Sequence, residues 1–439
     1  MGMSARCLVR VVLLCGALFA LPVQARTVVT LATGFQNPCG VAVDGQGNVF
    51  AAASALSEVR EILAVGGSIP PSPVIRTLGS GFRFPCGVDV DAGNVFVADT
   101  GNNQVKEMLA VGGSIPAVPT INVLASGFGF NLPGLLTLDN HGNVFVGDNS
   151  NHALYEIPIA GGYSTVNTVG SGFSNPGGVD IDTHGNVFVA DGISGGAIYE
   201  IEAVGGSIPP MPVIRTLATG FNFPSDVKVD AWGNVYVADT LNNAVKKILA
   251  VGGSIPASPT IITLGSGIGQ PLAIDIDGRG NVFVCNNSDG SIKEILAPAP
   301  PGLTIAFGAP TMPQNATTSL TFTVTNPNPD ADSALGGVAF TDALPAGLQV
   351  ATPNGLTGSC GGGTITADAG STSINLSGAT VAPGAQCSFS VNIAATAVGT
   401  LVNTTGAIDS IDGGAGGTAT ATLTVVPATP VSLQAFDVE

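Results

Sequence analysis

Six residues stand at matching places in copies of one repeated phrase: Ala42, Asp89, Thr137, Asp180, Lys228 and Asp275. Each lies between two apolar positions of a short alternating segment, so its side chain faces away from theirs. Gathered around one axis, Asp89, Asp180 and Asp275 would offer the oxygen ligands that calcium takes. Lys228 would neutralise part of that ring and disfavour a tight divalent site. Calcium also needs six or more donors, so the same letters read equally as the solvated lining of a channel. No other cofactor is expected.

Little else in the chain could do covalent chemistry. It has three histidines. His141 and His184 share the pattern D-x-H-G-N, and His152 lies alone in NSNHAL (149–154). A lone His lacks metal partners, and there is no zinc spacing, no Ser-His-Asp set and no phosphate loop. GSGFR (79–83) follows a strand but opens no helix. The expectation is a protein that is not an enzyme.

The elements that would position these residues come from the repeat. Gly-Asn-Val recurs at Gly47, Gly93, Gly142, Gly185, Gly233 and Gly280, with spacings of 43 to 49 residues. That period belongs to propellers and solenoids. In the fifth copy VKVD (227–230) alternates and turns into NVYVAD (234–239), Asn242-Asn243 turns into AVKKILAV (244–251), and TIITL (260–264) follows GGSIP. Four β-branched pieces bounded by Gly, Asn, Asp and Pro make a propeller blade. The last piece also appears as VVTL (28–31), before any copy, and is missing after the sixth. The N-terminal strand should therefore complete the sixth blade and close the ring.

The phrase F-x-x-P-x-G-V-x-V-D-x-x-G-N-V-[FY]-V-A-D-[TG]-x-N-N-x-V, best kept at Phe82–Val105 and Phe221–Val245, resembles the NHL repeat over roughly 26–297. The first copy departs with Ala53 where others carry Asp99, Asp148, Asp191 and Asp239, and the sixth has Asn286. The resemblance implies a six-bladed β-propeller. Related propeller families include amidating lyases and lactonases, which implies as the rival reading a lyase- or lactonase-like enzyme using a metal held by the channel Asp residues.

Within this frame the remaining letters take places. Asp44, Asp91, Asp139, Asp182, Asp230 and Asp277 precede the Gly-Asn turns and should bond turn amides. Phe35, Phe82, Phe128, Phe173 and Phe221 recur before the first strands and should pack between blades, sugar stacking being the other reading. VGGSIP (65–70, 111–116, 204–209, 251–256) reads as an edge-blocking turn, or else a docking loop. Recognition should sit in the second-to-third-strand turns, which differ between copies: 99–104, 148–153, 191–197 and 239–244. Their candidate binding residues are Asn102, Asn103, Asn151, His152, Asn242 and Asn243, beside the channel set Asp89, Asp180, Lys228 and Asp275.

Beyond LAPAPPG (296–302) the pattern changes. TSLTFTVTN (318–326), CSFSVNI (387–393) and TATATLTVV (418–426) alternate as strands with one buried face. TNPNP (325–329), GVAFTDALPAGL (337–348) and LVNTTGA (401–407) resemble Ig-like domains of unknown function on bacterial surface proteins. The organisation expected is all-β: signal peptide 1–25, six-bladed propeller 26–297, Pro-rich linker 298–303, Ig-like β-sandwich 304–428 and tail 429–439.

Arg6 and Arg10, an apolar run from Val11 to Val23 and the ending Val23-Gln24-Ala25 mark the signal, with cleavage after Ala25. Export without membrane insertion follows, to the periplasm, the cell surface or the medium. Cleavage leaves 11 basic against 30 acidic residues, a formal charge of −19, which excludes nucleic acid as a partner. Five cysteines remain. Cys360 and Cys387 should pair, contributing roughly 3–4 kcal/mol. Cys39 and Cys86 share a place in adjacent copies, where they either pair or stay as buried thiols, and Cys285 is left single. The sequence thus points to an exported binding or scaffold protein that offers a propeller face to a protein or glycan, with a structural envelope spacer as a third reading.

Overall fold

The computed structural model describes residues 26–329 and 333–428, so the expected signal segment and tail lie outside the described residues. From Val28 to Ile295 the chain forms six four-stranded antiparallel sheets. The first runs Pro38–Val43, Val49–Ala53, Glu58–Ile62 and Ile75–Leu78. The sixth runs Pro271–Ile276, Val282–Asn286 and Ser291–Ile295, and takes its fourth strand from Val28–Ala32. That strand pairs Val28 with Ile295 and Thr30 with Lys293, closing the ring as the count of fourth-strand pieces predicts. In five of the blades the first strand starts at a proline, that of F-x-x-P at Pro38, Pro133, Pro176 and Pro224 and that of Ile268-Gly-Gln-Pro271 in the sixth. The fifth therefore begins three residues before the alternating VKVD, reaching Pro224 across a break in register.

Packing explains why one phrase is repeated. The second strands Val49–Ala53, Val144–Asp148, Val187–Asp191, Val235–Asp239 and Val282–Asn286 are buried along their whole length. Both of their faces are covered, which demands the continuous apolar run VFVA rather than alternation. Between blades four and five, for example, Phe188, Ala190 and Ile198 meet Val227, Val235, Val237 and Ile248. Each such Val, Ile or Phe side chain is worth about 1.5–3 kcal/mol when buried, and these contacts exist only between neighbouring blades.

The turns are fixed by their polar letters. Asp44 Oδ1 accepts the amides of Gln46 and Asn48, while Asn48 Oδ1 accepts the Ala64 amide just past the third strand. Asp139, Asp182, Asp230 and Asp277 act alike. On this lower side the GGSIP turn is a packing piece: Ile115 and Ile255 are buried, and their carbonyls accept Arg76 and Arg215 from the preceding blades.

After residue 301 three sheets surround one core. The largest joins Gly302–Phe307, Thr317–Thr325, Gln386–Ala395 and Leu348–Val350; the others are Thr311–Pro313 with Thr420–Val426 and Gly399–Thr404, and Leu335–Ala343 with Ser373–Val381 and Thr364–Thr366. Phe322 stacks on Phe389 at 4.9 Å, and Cys360 bonds Cys387 at the edge of this core. No helix among the described residues is long and apolar enough to cross a membrane.

The first strands converge so closely that blade one needs glycine there: a Cβ on Gly40 would lie 2.0 Å from the Cys86 carbonyl oxygen. Gly40→Ala should cost about 1–3 kcal/mol or more, as overpacking does, read as a lowered melting temperature. Gly45→Ala, with nothing within 4 Å, should leave it unchanged.

Candidate functional site

Asp180 and Asp275 flank Lys228 on the first strands, and these acids and Asp89 are engaged in hydrogen bonds. Asp89 Oδ2 accepts the Leu138 amide at 2.8 Å, Asp180 Oδ2 the Val229 amide at 2.7 Å, and Asp275 Oδ2 the Val43 amide at 2.7 Å. Each bond crosses from one blade to the next, onto the residue that follows Thr137, Lys228 or Ala42. Thr137 Oγ1 donates to Asp180 Oδ1 at 3.1 Å, across the seam between blades three and four. The seam between blades five and six is tied by a residue the sequence reading did not single out. Asp226 Oδ2 accepts the Ile274 amide at 2.8 Å. The seam between blades one and two carries the Cys39–Cys86 disulfide. All six seams therefore have a tie at the innermost strand.

Charge follows the same plan. Lys228 Nζ lies 3.7 Å from Asp180 Oδ1 and 3.8 Å from Asp275 Oδ1. Burial alone would drive this ammonium toward neutrality, but Asp180, Asp275, Asp89 and Asp226 together hold its pKa above the ordinary lysine value. Burial raises the pKa of all four acids, against the pull of Lys228, and takes Asp226 and Asp275 to about 7. The Oδ1 atoms of Asp180 and Asp275 face an ammonium and one oxygen of each acid accepts an amide, so this donor set suits lysine better than a divalent ion. Among the described residues no three His, Cys, Asp or Glu side chains are grouped to hold a metal.

The upper face carries the second-to-third-strand turns. There Asn102, Asn151 and Asn242 each donate through Nδ2, at 2.8 Å, to the buried carboxylates of Asp99, Asp148 and Asp239. The same carboxylates accept amides of the lead-in loops, from Arg83, Asn131 and Asn222. Asn103 and Asn243 adopt left-handed φ of 55° and 54°, and their Oδ1 atoms accept the Leu132 and Gln270 amides of the following blades. His152, at φ 55°, sets Nδ1 2.7 Å from the Ser174 carbonyl oxygen. The six candidate residues thus share one side of the propeller and hold turns and seams there. They do not meet the channel acids in a single site.

What stands out on this face lies one loop away. The residue before the first-strand proline is Phe84, Leu132 or Phe223 in blades two, three and five. These side chains are 52%, 46% and 41% exposed, on backbones with φ of 47°, 59° and 59°. A bulky side chain at positive φ is an outlier, and Asn37 holds the same place in blade one at φ 53° without that burden. Ile193 and Leu241 are exposed in the turns beside them. A bulky apolar letter just before a turn proline is the signal that could have found them.

One aromatic assignment changes. Phe130, not Phe128, is the buried lead-in residue of blade three, three positions before Pro133 as Phe82 is before Pro85. Phe128 is 41% exposed and lies 4.9 Å from the Phe130 ring and 4.8 Å from Tyr155. Phe35, Phe82 and Phe221 are buried under the cations Arg60, Lys106 and Lys246, at 5.3–5.4 Å. His141 and His184 sit in solvated lower-face turns, 3.6 and 3.7 Å from Asp139 and Asp182. Cys285 is a buried free thiol whose pKa burial lifts well above the ordinary value.

Residues 301–425 match a domain of unknown function, DUF7933. No curated protein matches the chain. Among solved structures, it is similar to a gluconolactonase from Xanthomonas campestris, with 15% identity over 62% of this chain and 90% of that one and a TM-score of 0.49. A Trichoderma reesei protein of carbohydrate-active enzymes family AA12 shares 12% identity over 62% and 97%, with a TM-score of 0.48. The calcium-binding protein regucalcin from Agrobacterium tumefaciens shares 12% over 62% and 93%, with a TM-score of 0.47. At these TM-scores the likenesses carry no inference about activity.

The channel acids set a pH dependence. An acid whose folded pKa is raised stabilises the fold fully below its unfolded value, near 4, and that stability is lost as pH rises through the folded value, about 7 for Asp226 and Asp275. A ten-fold change in proton affinity is worth about 1.4 kcal/mol, so the melting temperature should rise as pH falls from 8 to 5. Asp226→Asn, which keeps an acceptor for the Ile274 amide, should flatten that slope.

Proposed function

We propose that this is an exported, non-catalytic binding protein whose propeller offers its upper face to a protein or glycan partner. In this reading the ring is an NHL-type propeller and the C-terminal domain an Ig-like module that carries it at the bacterial surface or in the periplasm. The observation that carries the proposal is the set Phe84, Leu132 and Phe223, large apolar side chains exposed at left-handed backbone positions. Folding alone would favour Asn or Gly at such places, and solvent would favour a polar group. Apolar side chains kept against both preferences fit a surface that is covered when a partner binds. The two disulfides fit an oxidising compartment.

The rival, a lyase- or lactonase-like enzyme with a metal on Asp89, Asp180 and Asp275, needs those carboxylates to give up cross-seam amides and Lys228 to leave its place between two of them. A stoichiometric metal that stays with the purified protein and is lost in Asp89→Ala/Asp275→Ala would favour it.

Phe84→Asn and Phe223→Asn install the residue blade one uses at this place. Each should leave stability unchanged or raise it by about 0.5–1 kcal/mol through relief of strain. Together they should abolish capture of the partner in pull-downs from envelope extracts and on glycan arrays by the immobilised mature chain. Capture undiminished in the double variant would overturn the upper-face assignment, and a wild-type chain that retains nothing would leave the envelope spacer as the better reading.

A further inference from the structure

Blade five breaks the repeat at three places on its lower half, and all three line a cleft shared with Ile411 and Asp412 of the C-terminal domain. The next-to-last residue of the third strand is Glu61, Glu107, Glu156, Glu200 and Glu294 in the other blades and Lys247 here. In blades one to four that glutamate faces a polar partner across the sheet: Arg76, Asn122, Asn167 or Arg215. Lys247 faces Ile262 and finds no partner there. Tyr236 stands where other blades have Phe50, Phe96, Phe145, Phe188 and Phe283, and Trp232 is the single tryptophan of the chain.

Lys247 Nζ reaches out of the blade to Asp412 Oδ1 at 3.2 Å, with Asp230 Oδ2 at 3.7 Å. Its ammonium lies 5.0 Å over the Tyr236 ring, whose hydroxyl donates to Asp230 Oδ2 at 3.3 Å. Asp412 Oδ2 accepts the Gly336 amide at 3.0 Å, which fixes the carboxylate within its own domain. Trp232 lines the same cleft as Ile411 and Asp412. Lys247 is only 2% exposed. Burial would lower its pKa, but Tyr236, Asp412 and Asp230 hold it above the ordinary value, so the ammonium stays charged.

We propose that blade five is the docking blade of the propeller, and that Lys247 latches the C-terminal domain to its lower face through Asp412. The partner for this surface is the chain's own second domain, and the apolar upper rim is thereby held pointing away from it. A buried charge that loses its partner destabilises the contact it served, so the latch opens when either residue is changed.

Glutamate is the repeat's own residue at this place, so Lys247→Glu tests docking rather than blade folding. In the full mature chain K247E should raise acrylamide quenching of Trp232, now 43% exposed, by about two-fold. It should also lengthen the maximum dimension seen by small-angle scattering, with the thermal transition of the propeller retained. Asp412→Asn, which keeps the Gly336 acceptor, should act in the same direction, and adding it to K247E should have no further effect. Quenching and dimension equal to wild type in both single variants would overturn the latch, as would fully additive effects in the double variant.

Discussion

In a four-stranded blade the strand nearest the channel has amides on its free edge, and six such edges meet in a ring without a fifth strand to pair them. Unpaired backbone groups there would be costly. The chain meets this constraint with a carboxylate at four of the six seams, and ties the other two without an amide acceptor. Carboxylates of Asp89, Asp180, Asp226 and Asp275 accept amides across four seams, the Thr137 hydroxyl serves a fifth, and a disulfide closes the sixth. Lys228 is the counter-charge that lets several buried acids share one channel. Once the innermost strands are held in this way, the buried second strands pack between neighbours and the outer turns follow.

This division of labour explains which features are readable from sequence. A repeated phrase encodes what every blade needs, so four strands, the Asp–Gly–Asn turns and the closing VVTL follow from alternation and counting. Cys39 and Cys86 pair because equivalent positions of adjacent copies converge at the channel. Asp226 is harder to read, since it replaces Gly40, Gly87, Leu135, Gly178 or Ala273 of the other copies and belongs to no series. Only its place two residues before Lys228, on the same strand face, hints at the shared environment. The upper-face asparagines mislead in another way. They sit in turns that differ between blades, yet their amides and carbonyls are spent on Asp99, Asp148, Asp239 and the next blade.

Function accordingly separates from the scaffold by cost. The seam ties, turn acids and buried Phe35, Phe82 and Phe221 all satisfy demands of folding. Phe84, Leu132 and Phe223 satisfy none, since they carry strain and exposure together. Lys247 likewise departs from the glutamate of the other blades and, besides Asp230 and Tyr236 of its own blade, reaches Asp412 of the second domain. The two sets lie on opposite sides of the ring, one exposed and one facing the second domain.

The claim on which this account rests is that the channel acids are seam acceptors. Amide hydrogen exchange on the mature protein tests it at single residues. The amides of Val43, Leu138, Val229 and Ile274, on strand edges that no other strand covers, should be protected to the level of the buried second strands. Exchange of these four at the rate of an unstructured amide would show that the carboxylates do not hold them, and would contradict the account.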